Sequence, residues 1–210
     1  MSAVPSPSNL STILPSAPQK LILASTSKYR KELLTRLGLP FSCVSPAVDE
    51  QALTGETPMA MALRLAEAKA LAISQTETDA WVIGSDQVVD LNGLAMGKPG
   101  DHAKALQQLQ SLRGNTVRFH TAVCLAKGRA TQVMNVITEV TFRDLDDATL
   151  HAYLLAETPY DCAGSAKSEG LGICLLEKVR SDDPTALIGL PLIAVCTLLR
   201  DAGFKIPGSL

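Results

Sequence analysis

The feature that most restricts the fold is the run DAWVIGSDQVVDLNG, residues 79–93. Trp, Val and Ile dominate it, and branched and aromatic side chains favour a pleated, buried strand. Asn92-Gly93 then supplies the pair that suits a two-residue hairpin turn, so a strand over 81–91 is expected to double back into 94–96. Asp86 and Gln87 stand in the middle of this apolar strand. Burying an unpaired carboxylate costs on the order of several kcal/mol. Asp86 must therefore be paired, open onto a wet cleft, or hold a metal ion.

The surrounding chain predicts both helices and strands. A strand over 21–24 runs into Ser25-Thr26-Ser27, which can cap a helix over 29–37 that stops at Gly38. Residues 41–44 resemble a second strand, and Thr57-Pro58 opens a long helix with Met59, Ala62, Leu63 and Ala66 on one face. A helix from Asp101 to about Leu112 comes next, followed by strands over 116–126 and 131–142 that meet at a turn near Gly128. Asp146 caps a helix over 148–155, residues 172–179 resemble a strand, and 190–200 form an amphipathic closing helix. This mixture predicts an α/β fold, with a mixed twisted sheet flanked by helices and a cleft between two lobes. One domain over 19–206 accounts for it. A Ser- and Pro-rich, disordered tail is expected over 1–18 and a short tail over 207–210.

Charge and composition exclude several classes. With 19 Lys and Arg against 21 Asp and Glu, the net charge of -2 offers no basic excess for nucleic acid. The first residues lack both a cationic region and a long apolar segment, so neither a signal peptide nor a membrane anchor is expected. The five cysteines are scattered, without Cys-x-x-Cys spacing. They read as small core residues in a reducing compartment, which points to the cytoplasm. His102, His120 and His151 have no neighbours at ligand spacing, a P-loop and a dinucleotide-binding glycine motif are both missing, and Ser85 lacks the flanking elbow of a serine hydrolase.

Polar motifs sit at the predicted element ends. STSKYR, residues 25–30, lies where a strand meets a helix N-terminus, whose free N–H groups suit an anion; an ordinary cap with a solvated Arg30 fits the stretch equally well. Gly97-Lys98-Pro99 puts a Lys on a rigid turn, and AGSAKSEG, residues 163–170, gathers small residues, a cation and an acid in one loop. In order along the chain, LILASTSKYRKELL, VDE at 48–50, RLAEAKA at 64–70, IGSDQVV, GKP, FHT at 119–121, CAGSAKSEGLGI and LIGLPL resemble the Maf-like nucleotide pyrophosphatases, from about Lys20 to about Phe204.

The resemblance implies hydrolysis of a nucleoside triphosphate to the monophosphate and pyrophosphate with a divalent cation, Mg²⁺ or Mn²⁺. It places the general base at Asp86, with Glu50 and Asp86 toward the metal, and Ser25, Arg30, Lys69, Lys98 and Lys167 toward the phosphates. It also implies a homodimer. Chemically the types fit, since a polyphosphate needs several cations and a hard ion with oxygen ligands.

Base choice falls to Tyr29, Gln87 and Glu169, a trio that resembles the subgroup hydrolysing 7-methyl-GTP. Members acting on dTTP and UTP carry Arg, Thr and Gln instead. Methylation makes the guanine cationic, so an aromatic ring gains cation–π stacking of ~0.5–2 kcal/mol. A carboxylate can accept the base's N–H donors in charge-assisted hydrogen bonds. Alternative readings are a dTTP or UTP pyrophosphatase of the same family, a nucleotide-binding regulator of cell division, and a nucleic-acid module. The near-neutral charge and 4% aromatic content weigh against the last.

Overall fold

The computed structural model describes residues 19–207; the tail expected over 1–18, and residues 208–210, lie outside the described residues. A seven-stranded mixed sheet forms the centre, in the order β2-β1-β3-β5-β6-β7 with β4 also on β3. Its strands are β1 (Leu21–Ala24), β2 (Ser42–Val44), β3 (Trp81–Leu91), β4 (Leu94–Met96), β5 (Thr116–Lys127), β6 (Ala130–Phe142) and β7 (Leu176–Ser181). β1 lies parallel to β2 and β3, whereas β3 through β7 pair antiparallel. The predicted hairpin is present, with Asp90 paired to Ala95.

Among the described residues five α-helices accompany it: α1 (Lys28–Thr35), α2 (Pro58–Ser74), α3 (His102–Leu112), α4 (Asp147–Glu157) and α5 (Leu192–Asp201). The first four begin at side-chain caps, Ser27, Thr57, Asp101 and Asp146, each accepting a hydrogen bond from the N–H three residues on. Among the described residues no helix is long and apolar enough to cross a membrane.

Because side chains alternate along a strand, β3 serves two faces. On one, Ile83 joins Leu23, Leu33, Val123 and Leu198 in a core under α1 and α5. Further along the same face, Val89 joins Leu109, Phe119, Phe142 and Tyr153 in a second core under α3 and α4. Between these two lobes the face turns polar at Ser85 and Gln87, with Thr121 paired opposite Gln87. On the other face α2 packs Ala62, Ala66 and Ala70 against Val88, Ala122 and Cys124.

Three expectations need correction. Residues 171–175 form a 3₁₀ turn instead of a strand, and β7 begins only at Leu176. The Leu171 N–H donates to Glu157 at 2.8 Å, and a Cβ on Gly172 would stand 2.5 Å from the Lys167 backbone, so the chain is folded back on itself there. The buried stripe of α2 is Ala62, Leu65, Ala66, Lys69, Ala70 and Ile73, while Met59 is exposed. Residues 59, 62, 63 and 66 keep helical spacing too, and the sheet selected the neighbouring stripe. Finally, all five cysteines are free but only Cys124 is buried; Cys43 and Cys174 are exposed.

Candidate active site

The cavity arises from a mismatch in strand length. β1 pairs with β3 only through residues 81–83, and β4 returns to pair at 89–91. Between them, residues 84–88 of β3 have β5 on one side and, among the described residues, no strand on the other. Asp86 thus lies mid-strand, not at a strand end, and faces a wet space because the neighbouring strand stops short. The turn after β1, the start of α1 and the loops around Glu50, Lys98, Cys162 and Ile188 close this gap into a cavity of about 640 Å³.

One wall gathers charge around Asp86. A Cβ on Gly84 would lie 2.2 Å from the Ala66 carbonyl oxygen and 2.5 Å from the Ala70 N, so the missing side chain is what lets α2 lie this close to β3. The same approach delivers Lys69, only 4% exposed, to the strand. Its Nζ donates to Asp86 Oδ1 at 2.6 Å and pairs with Glu50 Oε1 at 2.6 Å. Burial pushes the Glu50 carboxyl up, but Lys69, Lys98 and Arg30 outweigh it and hold the group below its usual range. Burial conversely draws the Arg30 guanidinium down, against Asp86 and Glu50. Arg30 Nε donates to the Gly189 carbonyl at 2.9 Å. Ser25 accepts from the Ser27 N–H at 3.1 Å, which leaves its hydroxyl proton to donate.

Two carboxylates sharing one ammonium are a hard-oxygen donor pair. They fit a Mg²⁺-like ion that takes its other ligands from water and substrate phosphates, the usual mode for that ion. Among the described residues, no three His, Cys, Asp or Glu side chains form a fuller metal cluster.

The other wall is aromatic and acidic. Tyr29 hydrogen-bonds Asp161 at 3.4 Å, and burial, with Cys162, Asp161 and Glu169 nearby, raises its hydroxyl pKa far above the usual range. Cys162, desolvated beside Asp161, is pushed up to about 12. Glu169 is exposed, yet neighbouring protein desolvates it enough to raise its carboxyl above the ordinary value. Gln87 Nε2 lies 3.0 Å from Thr121 Oγ1, 3.0 Å from the Ala186 carbonyl and 3.1 Å from that of Leu187. With oxygens on all sides that atom must be the amide NH₂, so the carbonyl Oε1 is the part left for a ligand.

Ser25, Tyr29, Arg30, Glu50, Lys69, Asp86, Gln87, Lys98 and Glu169 therefore line one cavity. Lys167 is not among the residues lining it. Its Nζ is 2.6 Å from Glu157 Oε1, which holds its pKa up, and lies 5.9 Å from the Tyr29 ring centre. Lys28, with Nζ at 4.8 Å from that ring, and Asp161 and Cys162 do line the cavity and were not anticipated. The DC of YDCAGS carries little signal by itself. The histidines are hydrogen-bonded away from the cavity, since α3 and α4 bring His102 Nε2 to 2.9 Å from His151 Nδ1, with Tyr160 on the other His102 nitrogen.

Comparison with known proteins adds a second line. A family described as Maf-like protein matches residues 20–202. A 7-methyl-GTP pyrophosphatase of Paraburkholderia xenovorans (strain LB400) is 58% identical over 197 residues, covering 91% of this chain and 96% of that protein. One of Cupriavidus metallidurans (strain ATCC 43123 / DSM 2839 / NBRC 102507 / CH34) is 59% identical over 191 residues, covering 90% and 96%. The structure of the Staphylococcus aureus Ham1 protein covers 60% of this chain and 73% of its own at 18% identity and a TM-score of 0.42, a likeness too slight to carry an argument.

Proposed function

The chain belongs to the Maf-like protein family, and from that premise we propose that it is a nucleotide pyrophosphatase converting 7-methyl-GTP to 7-methyl-GMP and pyrophosphate. The observation that carries the reading is the pairing of two walls in one cavity. Arg30, Lys69 and Lys98 gather on the Glu50 and Asp86 side, while Tyr29, Asp161 and Glu169 cluster on the other. A polyphosphate suits the first wall and a cationic, hydrogen-bond-donating base suits the second.

The chemistry follows from the contacts. Asp86 Oδ1 is engaged by Lys69, which leaves Oδ2 to accept the proton of an attacking water. As the water oxygen bonds to phosphorus, the bridge between the α- and β-phosphates breaks and its electron pair leaves with pyrophosphate. Lys69, Lys98 and Arg30 stabilise the charge that builds on the phosphate oxygens, and Ser25 donates to them. Asp86 and Glu50 would hold a divalent cation, Mg²⁺ or Mn²⁺, which supplies further charge neutralisation when bound. At the base, Tyr29 stacks on the methylated ring, while Glu169 and the Gln87 Oε1 accept its N–H donors. A cytoplasmic role in removing modified nucleotides accompanies this reading, as does a homodimer that light scattering would test.

The test is pyrophosphate release by the purified chain with Mg²⁺ or Mn²⁺ over 7-methyl-GTP, GTP, dTTP, UTP and CTP, with Asp86→Asn as control. Release that favours 7-methyl-GTP and disappears in the control is expected. Preference for dTTP or UTP would overturn the substrate, and no release from any nucleotide would overturn the activity.

A further inference from the structure

Residues 183–193 line the cavity at Leu187, Ile188 and Gly189, and their carbonyl groups also hold two other lining side chains, Gln87 and Arg30. The Ala186 carbonyl accepts from Thr121 Oγ1 at 3.0 Å and from Gln87 Nε2 at 3.0 Å, and the Leu187 carbonyl accepts from Gln87 Nε2 at 3.1 Å. The Gly189 carbonyl accepts from Arg30 Nε at 2.9 Å and Ser85 Oγ at 3.2 Å. These bonds decide which end of the Gln87 amide faces the ligand. Because the carbonyls take the NH₂, Oε1 is presented to the base.

The loop itself has one short turn, Ala186–Ile188, and needs an anchor. Asp183, only 2% exposed, provides it. Its Oδ1 accepts from the Thr185 N–H at 2.9 Å and hydroxyl at 2.7 Å, and its Oδ2 accepts from the Ile193 N–H in the first turn of α5 at 2.6 Å. Thr185 Oγ1 in turn accepts from the Leu192 N–H at 2.8 Å and lies 2.9 Å from the Leu190 carbonyl. One buried carboxylate therefore ties the start of the loop to its end. All three of its partners are donors, which suits an acceptor-only carboxylate, and the helix N-terminus favours its charge. Asn at this position would turn an NH₂ toward one of those donors.

We propose that Asp183 is a positioning residue for base selection, acting through the loop carbonyls on Gln87. The inference rests on the reading of the cavity as a methylguanine nucleotide site. It gives LIGLPL, residues 187–192, a role beyond the cavity lining that Leu187, Ile188 and Gly189 provide.

The test compares the ratio of kcat/KM for 7-methyl-GTP over UTP in the wild-type chain, Asp183→Asn, Thr185→Val, Gln87→Ala and the Asp183→Asn/Gln87→Ala pair. The ratio is expected to fall by about tenfold in Asp183→Asn and less in Thr185→Val, and the pair should be no less selective than Gln87→Ala alone. A lowered melting temperature with an unchanged ratio would make Asp183 a stabilising residue only and overturn the proposal. Independent, multiplying losses in the pair would overturn it too. Should Asp183→Asn fail to fold, Thr185→Val decides by the same ratio. A wild-type preference for another nucleotide would overturn the substrate reading but not this one, which is then read on that nucleotide's ratio.

Discussion

Replacing Gly84 with Ala would separate the two halves of the charged wall. The added Cβ would sit 2.2 Å from the Ala66 carbonyl oxygen, 2.5 Å from the Ala70 N and 2.9 Å from the Ala70 Cβ, where ordinary contact begins near 3.4 Å. Two of these neighbours are backbone atoms, so no rotamer change relieves the clash, and α2 must move off β3 by roughly 1 Å to restore packing. Lys69 sits between Ala66 and Ala70 on that helix, and its 2.6 Å contact with Asp86 would lengthen accordingly. Overpacking of this kind costs about 1–3 kcal/mol. For a domain of this size that corresponds to a melting temperature lower by roughly 2–12 °C. Displacing a reacting group by ~1 Å can cost ~100-fold in rate. Thermal unfolding and kcat/KM for pyrophosphate release measure both. A melting temperature within about 1 °C of wild type, with activity within about twofold, would refute the claim that this close approach builds the site.

Further outcomes follow from the same geometry. Lys69→Met should cut activity by about 100-fold or more, because Asp86 and Glu50 lose the ammonium they share; activity near wild type would show the ion pairs to be incidental. A cationic base favours the ionised form of Glu169, whose carboxyl titrates above its ordinary value in the free protein. Selectivity for 7-methyl-GTP over GTP should thus be complete at pH above that raised value and decline as pH falls through it. A pH profile of the ratio that is the same in Glu169→Gln would contradict this. EDTA should abolish pyrophosphate release and Mg²⁺ or Mn²⁺ restore it, so activity that survives chelation would remove Glu50 and Asp86 from any metal role.

Much of this arrangement was legible in the sequence because it depends on local signals. Branched residues with Asn92-Gly93 specified β3 and its hairpin, Ser27, Thr57, Asp101 and Asp146 marked helix starts, and a carboxylate inside an apolar strand marked the cavity. What escaped was set by contacts distant in sequence. That Lys69 faces Asp86 depends on Gly84 admitting α2, and nothing in RLAEAKA separates a buried Lys from a solvated one. Lys167 went to Glu157 because the 3₁₀ turn at 171–175 folds back where a strand was expected. Asp183 stayed hidden because the partner that ties it across the loop is the backbone N–H of Ile193, which has no sequence signature.

The most direct measurement is kcat/KM for 7-methyl-GTP divided by that for GTP, the two substrates differing by one methyl group and the charge it brings. Stacking on Tyr29 at ~0.5–2 kcal/mol, with the charge-assisted bonds of Glu169, predicts a ratio of about ten or more. A ratio near one, or dTTP turned over faster than either, would contradict the assignment of this cavity to a methylated guanine.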